Sequence, residues 1–244
     1  MSALIWATAR ELLFGGRALI LLLSPLISAA FVAAMEMATG TGAGLPSDLA
    51  TLALTWCREL APPTAVILGA GVIAGPLRSG EMVLWAVRPI TLSAILVARV
   101  AGTWLATMTV LLLPWGLSLP LAQGSIPTAE LVAAPLRAAL ASAAVLAPLA
   151  LLSVLLPLAG DALAYVGLLI GLALARENVS GIAHRVLDEL ARFLFPSTGF
   201  VDELLTSGRC SLEDPLRWAA LLSLALLVSC ILLSRRELHY ARSE

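Results

Sequence analysis

Few residues in this chain have the type and spacing to do covalent chemistry. Ser180-Gly181 lies near His184, but a serine nucleophile needs its base on a facing helix within hydrogen-bond reach. The chain's two histidines, His184 and His239, both fall outside the apolar runs. A carboxyl pair sharing a proton would need a second aspartate beside Asp161, which stands alone at the edge of two apolar runs. No His or Cys pair has metal-ligand spacing, so no catalytic, cofactor-binding or metal site is expected. The three cysteines are Cys57, Cys210 and Cys230. In the topology derived below, Cys57 and Cys210 face the same, outer side, where a disulfide can persist in an oxidising compartment. Spacing leaves open whether they meet. Cys230 reads as a small apolar filler.

A different kind of chemistry, ionic docking, is offered by the segment Gly75 to Arg99. Arg78, Glu81, Trp85, Arg88 and Pro89 lie here between two apolar runs, with an amphipathic turn over Met82–Val87. Pro89 ends that turn and biases Arg88 towards extended backbone. Two readings are open. A short helix parallel to a membrane would project Glu81 and Arg88 to a partner protein, whereas the simpler alternative is an ordinary loop rich in Arg.

The elements that position these residues follow from charge spacing. Six runs carry no charged side chain: Ala18–Met35, Leu60–Leu77, Val100–Ala129, Ala138–Gly160, Ala162–Ala175 and Trp218–Ser234. A hydrocarbon slab ~30 Å thick takes about 20 apolar residues as a helix. An Arg or Asp at the centre would cost roughly 2.5–3.5 kcal/mol, so ionic groups mark the ends. The fifth run is long enough only if Asp161 lies at the membrane edge. Composition agrees, with 60% hydrophobic residues, 13% charged and a mean hydropathy of +0.97. A water-facing surface draws on about 25% charged residues. The expected fold is all-α, a polytopic membrane protein with six transmembrane helices in one domain over residues 1–244. Spans are expected at about 18–36, 60–77, 97–121, 133–157, 160–175 and 216–234. The first run is longer than a signal-peptide core and follows Arg17, so it reads as an uncleaved span.

Six spans put both termini on one side. Arg10, Arg17, Arg235, Arg236 and Arg242 flank the first and last spans and favour the cytosol, although eight inner Arg against seven outer decides little. The formal net charge of −1 gives no expectation of a nucleic-acid partner. Residues 2–14 resemble an interfacial helix on the inner leaflet, and a second helix can start at Ser47 or Asp48 and run through Trp56. Segment 180–206, on the outer side, places Ile182, Val186, Leu187, Leu190, Phe193 and Leu194 at helical spacing with Arg185, Asp188, Glu189 and Arg192 opposite. Pro196 should end that helix. It either lies at the outer interface, dipping partly in, or forms a soluble cap.

Ionisable residues are confined to span edges. Arg99 should snorkel inward and Arg137 outward. Asp161 should cap span five at the inner surface. Arg58 and Glu59 should mark the outer rim of span two. An ion-coupled carrier would hold such groups near the midplane. A phosphate-binding Gly-x-x-x-x-Gly-Lys-[Ser/Thr] loop is impossible here, since all fifteen basic residues are Arg. Energy for transport would have to come from elsewhere. Gly71-x-x-x-Gly75 and Gly167-x-x-x-Gly171 allow close helix approach, within the chain or between chains.

In these features the chain resembles the permease subunits of ABC-2-type transporters. An acidic residue after span two (Glu81), an Arg-Pro pair (Arg88-Pro89) and a basic residue at the base of span three (Arg99) follow the family order. The amphipathic N-terminal segment, the short loop after span four, the helical outer segment and the tail Ser234 to Leu238 do so too. The chain departs from the pattern at Met82-Val83, where Gly-Thr is usual, and in lacking an Arg just after Pro89. The resemblance implies a permease of the bacterial cytoplasmic membrane, exporting substrate and driven by a separate ATPase subunit that grips the cytosolic coupling segment 78–92. It also implies a second permease copy, with Gly167 and Gly171 at the interface between them. ATP would be bound by the partner and no cofactor by this chain. The alternatives are a haem-exporter-like permease and a non-transport membrane scaffold.

Overall fold

Apolar runs bounded by charge satisfy their backbone internally as helices, and helices make up every regular element among the described residues. The computed structural model describes residues 1–39, 45–72, 74–79, 91–122, 127–156, 160–208 and 211–240. In chain order the helices are α1 (Ser2–Leu13), α2 (Gly16–Thr39), α3 (Leu45–Glu59), α4 (Ala61–Gly69) and α5 (Ala74–Ser79). They continue as α6 (Leu92–Ala122), α7 (Thr128–Leu155), α8 (Gly160–Asn178), α9 (Ile182–Leu194), α10 (Phe200–Ser207) and α11 (Glu213–Tyr240).

Four of these helices are long and apolar enough to cross a membrane: α2 over Gly16–Met35, α6 over Leu92–Leu117, α7 over Ala129–Leu155 and α11 over Glu213–Arg235. That is the architecture of an integral membrane protein. A bent pair, Thr51–Glu59 with Ala61–Pro76 at 52°, makes a fifth crossing if taken as one span. The count expected from charge spacing, six, is thus met in part. The shortfall has two physical sources. Span two is not one straight helix, because α4 ends at Gly69 and the chain turns at Ala70–Val72 before α5. Helix α8 is continuous, but Asp161, Arg176 and Glu177 fall within it and shorten its uncharged stretch.

Helices α6 and α7 form the centre, with 61% and 56% of their spans buried, while α2 and α11 lie outside them at 11% and 22%. Helix α3 and the start of α4 close one end of this core, where Cys57, Ala61, Met108, Leu111, Ala134 and Ala138 pack together. Trp104 and Trp218 donate their indole N–H groups to the carbonyls of Ala139 and Leu140 at 3.0 Å each. Two apolar rings thereby become ties between α6, α7 and α11. The hydroxyls of Thr103 and Thr107, both fully buried, donate to the carbonyls four residues back, which satisfies them within α6.

Helix α1 packs across the first turns of α6. A Cβ on Gly102 would stand 2.7 Å from both the Ile5 carbonyl oxygen and Thr8 Cβ. Only hydrogen at this position lets the helices approach so closely. Trp6 of α1 and Phe14 just beyond its end stay exposed. Helix α9 stops at Leu194, just before Pro196, as its sequence predicts. Its neighbours fix its direction. Asp188 pairs with Arg176 near the end of α8 (2.6 Å), whereas Phe195 stacks edge-on against Tyr165 near the start of α8 at 5.9 Å. Helix α9 therefore runs back antiparallel to α8, and α10 returns to Arg137 of α7 through Asp202.

Candidate functional site

The break between α4 and α5 gathers the buried Arg99, Ser153 and Asp161 near the α1 end of the bundle. Two causes lie in the local sequence. The stretch Gly69-Ala-Gly71-Val-Ile-Ala-Gly75 carries three glycines in seven residues, each weakening a helix by about 1 kcal/mol relative to Ala, and Gly71 adopts φ +76°, a conformation that costs residues with a Cβ about 1–2 kcal/mol. A broken helix exposes backbone donors and acceptors, which become costly inside a bilayer unless they are paired. Four other helices supply the partners here.

Arg17, at the start of α2, donates through Nη1 to the carbonyls of Ile67 (3.3 Å) and Ala70 (2.9 Å). This places a cation at the C-terminal end of α4, where the helix dipole favours it. The Gly71 N–H donates to Asp161 Oδ2 at 2.9 Å, and the Ala162 N–H donates to Asp161 Oδ1 at 2.9 Å. Arg99 of α6 donates to the Val72 carbonyl at 3.1 Å. Its other terminal nitrogen lies 4.0 Å from Glu11 of α1. The Ala74 N–H donates to Ser153 Oγ of α7 at 3.0 Å. A cavity of 310 Å³, lined by Thr8, Glu11, Arg17, Gly71, Pro76 and Arg99 among others, lies against this junction. Among the described residues no nucleophile and base meet here. Polar bonds instead hold the end of α4, the turn after it and the first residue of α5 to α2, α8, α6 and α7.

This placement corrects two expectations. Asp161 was expected as a cap of span five at the inner surface; it does accept the first-turn Ala162 N–H, but it has no exposed surface and also joins α8 to the span-two break. Arg99 was expected to snorkel inward to water; it is buried and bonded to backbone. A third correction lies at the opposite end. Arg137 does not reach out to solvent but is buried at 5%, pairing with Glu130 on its own helix and with Asp202 of α10 at 2.9 Å. Gly71 is likewise no helix-packing glycine, because it occupies the break itself.

Of the coupling segment, Arg78 falls on α5 and Arg99 on α6. Glu81, Trp85, Arg88 and Pro89 lie outside the described residues. The structure thus brings Arg99 to the joint and shows the α5 root from which the rest of that segment departs. Gly167 and Gly171 are exposed on α8, and among the described residues nothing outside their own helix lies within 4 Å of where a Cβ would stand. Cys57 is a free thiol in the core, and Cys210 lies outside the described residues. Arg58 and Glu59 pair at 3.3 Å with both side chains exposed, in keeping with a rim position. His184 contacts the Arg176 carbonyl and Asp188.

Arg17, Asp161, Ser153 and Glu11 were missed as site residues. Their signal was present as glycine crowding in span two together with an aspartate between two apolar runs. Which backbone groups they would meet was not readable from spacing. No family model matches this sequence, and a search of characterised proteins returns no relative.

Proposed function

We propose that this chain is the membrane-spanning permease subunit of an ABC-2-type transporter. It crosses the bacterial cytoplasmic membrane six times with both termini in the cytosol, α3–α5 forming the second span and α8 the fifth. Two copies, or one copy and a similar permease, line the path, and a separate ATPase supplies the energy. Helix α1 lies at the inner interface and α9–α10 form the outer segment. Export is the direction the resemblance implies.

The observation that carries this reading is the joint at Ala70–Ala74. A motor gripping residues 78–92 would pull on α5, and α5 is rooted where Arg17, Asp161, Arg99 and Ser153 converge from α2, α8, α6 and α7. A push at the cytosolic segment would therefore reach four spans through hydrogen bonds rather than through loose apolar contact. The exposed Gly167 and Gly171 support a contact between copies along α8.

The test is purification in mild detergent with its bound subunits, followed by transport and ATPase assays. An ATPase should co-purify. Glu81→Ala or Arg88→Ala should uncouple hydrolysis from transport while leaving membrane insertion intact. Normal transport by both variants would remove the segment from the mechanism, and a complex without any ATPase would favour a scaffold.

A further inference from the structure

We propose that the apolar cavity between α4, α7, α8 and the Phe195 turn is a binding site for a single alkyl chain, belonging to a membrane lipid or an amphiphilic cargo. The cavity has a volume of 570 Å³ and is walled by Pro62, Val66, Ala144, Tyr165, Leu169 and Phe195 among others. Sites for small organic ligands span about 300–1,000 Å³. Tyr165 supplies the sole polar side-chain atom among the lining residues. Water needs two to four polar partners to occupy such a space, so water is a poor occupant. An empty space of this size forfeits dispersion contacts along all its walls. Hydrocarbon restores them.

The opening shows where the chain would come from. Ile67 and Val166 both line the cavity and both remain exposed, at 42% and 39%. The mouth is thus continuous with the outward apolar face of α8, where Leu163 and Ile170 are also bare. Gly167 shares that face, so it looks onto acyl chains where α8 crosses the bilayer and a second copy leaves the Val166 side open. The inner wall is closed by Leu194–Pro196, held in place by the edge-on contact of Phe195 with Tyr165. The site rests on the six-span reading in placing α8 within the membrane; it needs no motor, and it requires that a second copy seated along Gly167 and Gly171 leave the Ile67–Val166 mouth free.

The test uses the full chain in phosphatidylcholine nanodiscs containing a phospholipid with a photoactivatable diazirine midway along one acyl chain. Adducts are mapped by peptide mass spectrometry. Labelling should concentrate on the peptides carrying Val66–Ile67 and Ala141–Val145, above that on the bare face of α2 from Leu19 to Phe31. Ala144→Phe, and the milder Ala141→Leu at a half-buried position, should each cut cavity labelling about tenfold, equivalent to ~1.4 kcal/mol of lost binding. Labelling of α2 should not change, and a retained thermal midpoint shows that the variants fold. Displacement by excess unlabelled lysophosphatidylcholine identifies an exchangeable amphiphile, and its failure identifies a resident lipid; either outcome keeps the alkyl-chain site. Cavity labelling no stronger than that on α2, or unaltered in both variants, overturns it. If Leu163 and Ile170 are unlabelled while α2 is labelled, that face of α8 is closed to lipid, whether by a second copy or by lying outside the bilayer, and the alkyl-chain site is overturned with it.

Discussion

Asp161 shows how one side chain can serve two helices. Its carboxyl group accepts the Ala162 N–H in the first turn of α8 and the Gly71 N–H at the break in span two. Asp161→Ala leaves the Gly71 N–H without that acceptor, at a cost of about 1–3 kcal/mol. Asp161→Asn retains an acceptor oxygen and should lose less. Thermal unfolding of the two variants in detergent separates them, and equal losses would mean that charge rather than the hydrogen bond matters. At the opposite end, Arg137 is nearly enclosed while Glu130 and Asp202 are each 40% exposed. Removing both acids strands a buried guanidinium, which should destabilise by about 3–5 kcal/mol. Either single substitution leaves one partner and should cost clearly less. A double-mutant cycle at Glu130 and Asp202 reads this directly, and simple additivity would show that the acids act independently.

At the scale of elements, charge placement made most helices legible and packing decided how they bend. The expected span over 60–77 appears as α4, a turn and α5, because Gly71 tolerates φ +76° and its neighbours offer little resistance to fraying. The N-terminal segment was legible as an amphipathic helix; its contact with α6 was not, since it depends on the missing Cβ of Gly102 against Ile5 and Thr8. Gly102→Val should prise α1 from α6 while leaving α6 helical. Limited proteolysis should then release residues 1–13 faster than in the parent chain. An unchanged rate would show that α1 is held by other contacts. Helix α9 pairs its acids Asp188 and Glu189 with Arg176 of α8 and Arg217 of α11 near the surface, each pair worth only about 0–1 kcal/mol. Its position is set more by the Phe195–Tyr165 contact, which no periodicity announces.

For the whole molecule, the large bare apolar faces of α2 and α8 are consistent with lipid or with a second copy as solvent. The dimer reading makes a sharp prediction for α8. Gly167→Cys, in a chain whose native cysteines are replaced by Ala, should form a disulfide-linked dimer in membranes under mild oxidant, and Gly171→Cys likewise. Failure at both positions, with successful linkage from a position on α2, would move the interface. Six spans require residues 1 and 244 on one face of the membrane. Accessibility labelling of cysteines placed at each terminus in intact cells checks that parity.

Charge spacing along the chain was enough to determine that this is a helical membrane protein and where most helices begin and end, because each ionic group penalises burial in hydrocarbon locally, without reference to any distant residue. It also marked Arg99, Arg137 and Asp161 as the ionisable groups nearest the apolar runs. Their partners were decided only by tertiary structure. The bonds that matter join residues far apart in the chain, Arg17 to Ala70, Gly71 to Asp161 and Ala74 to Ser153. A one-dimensional pattern records which groups must be satisfied; the fold alone brings the groups that satisfy them.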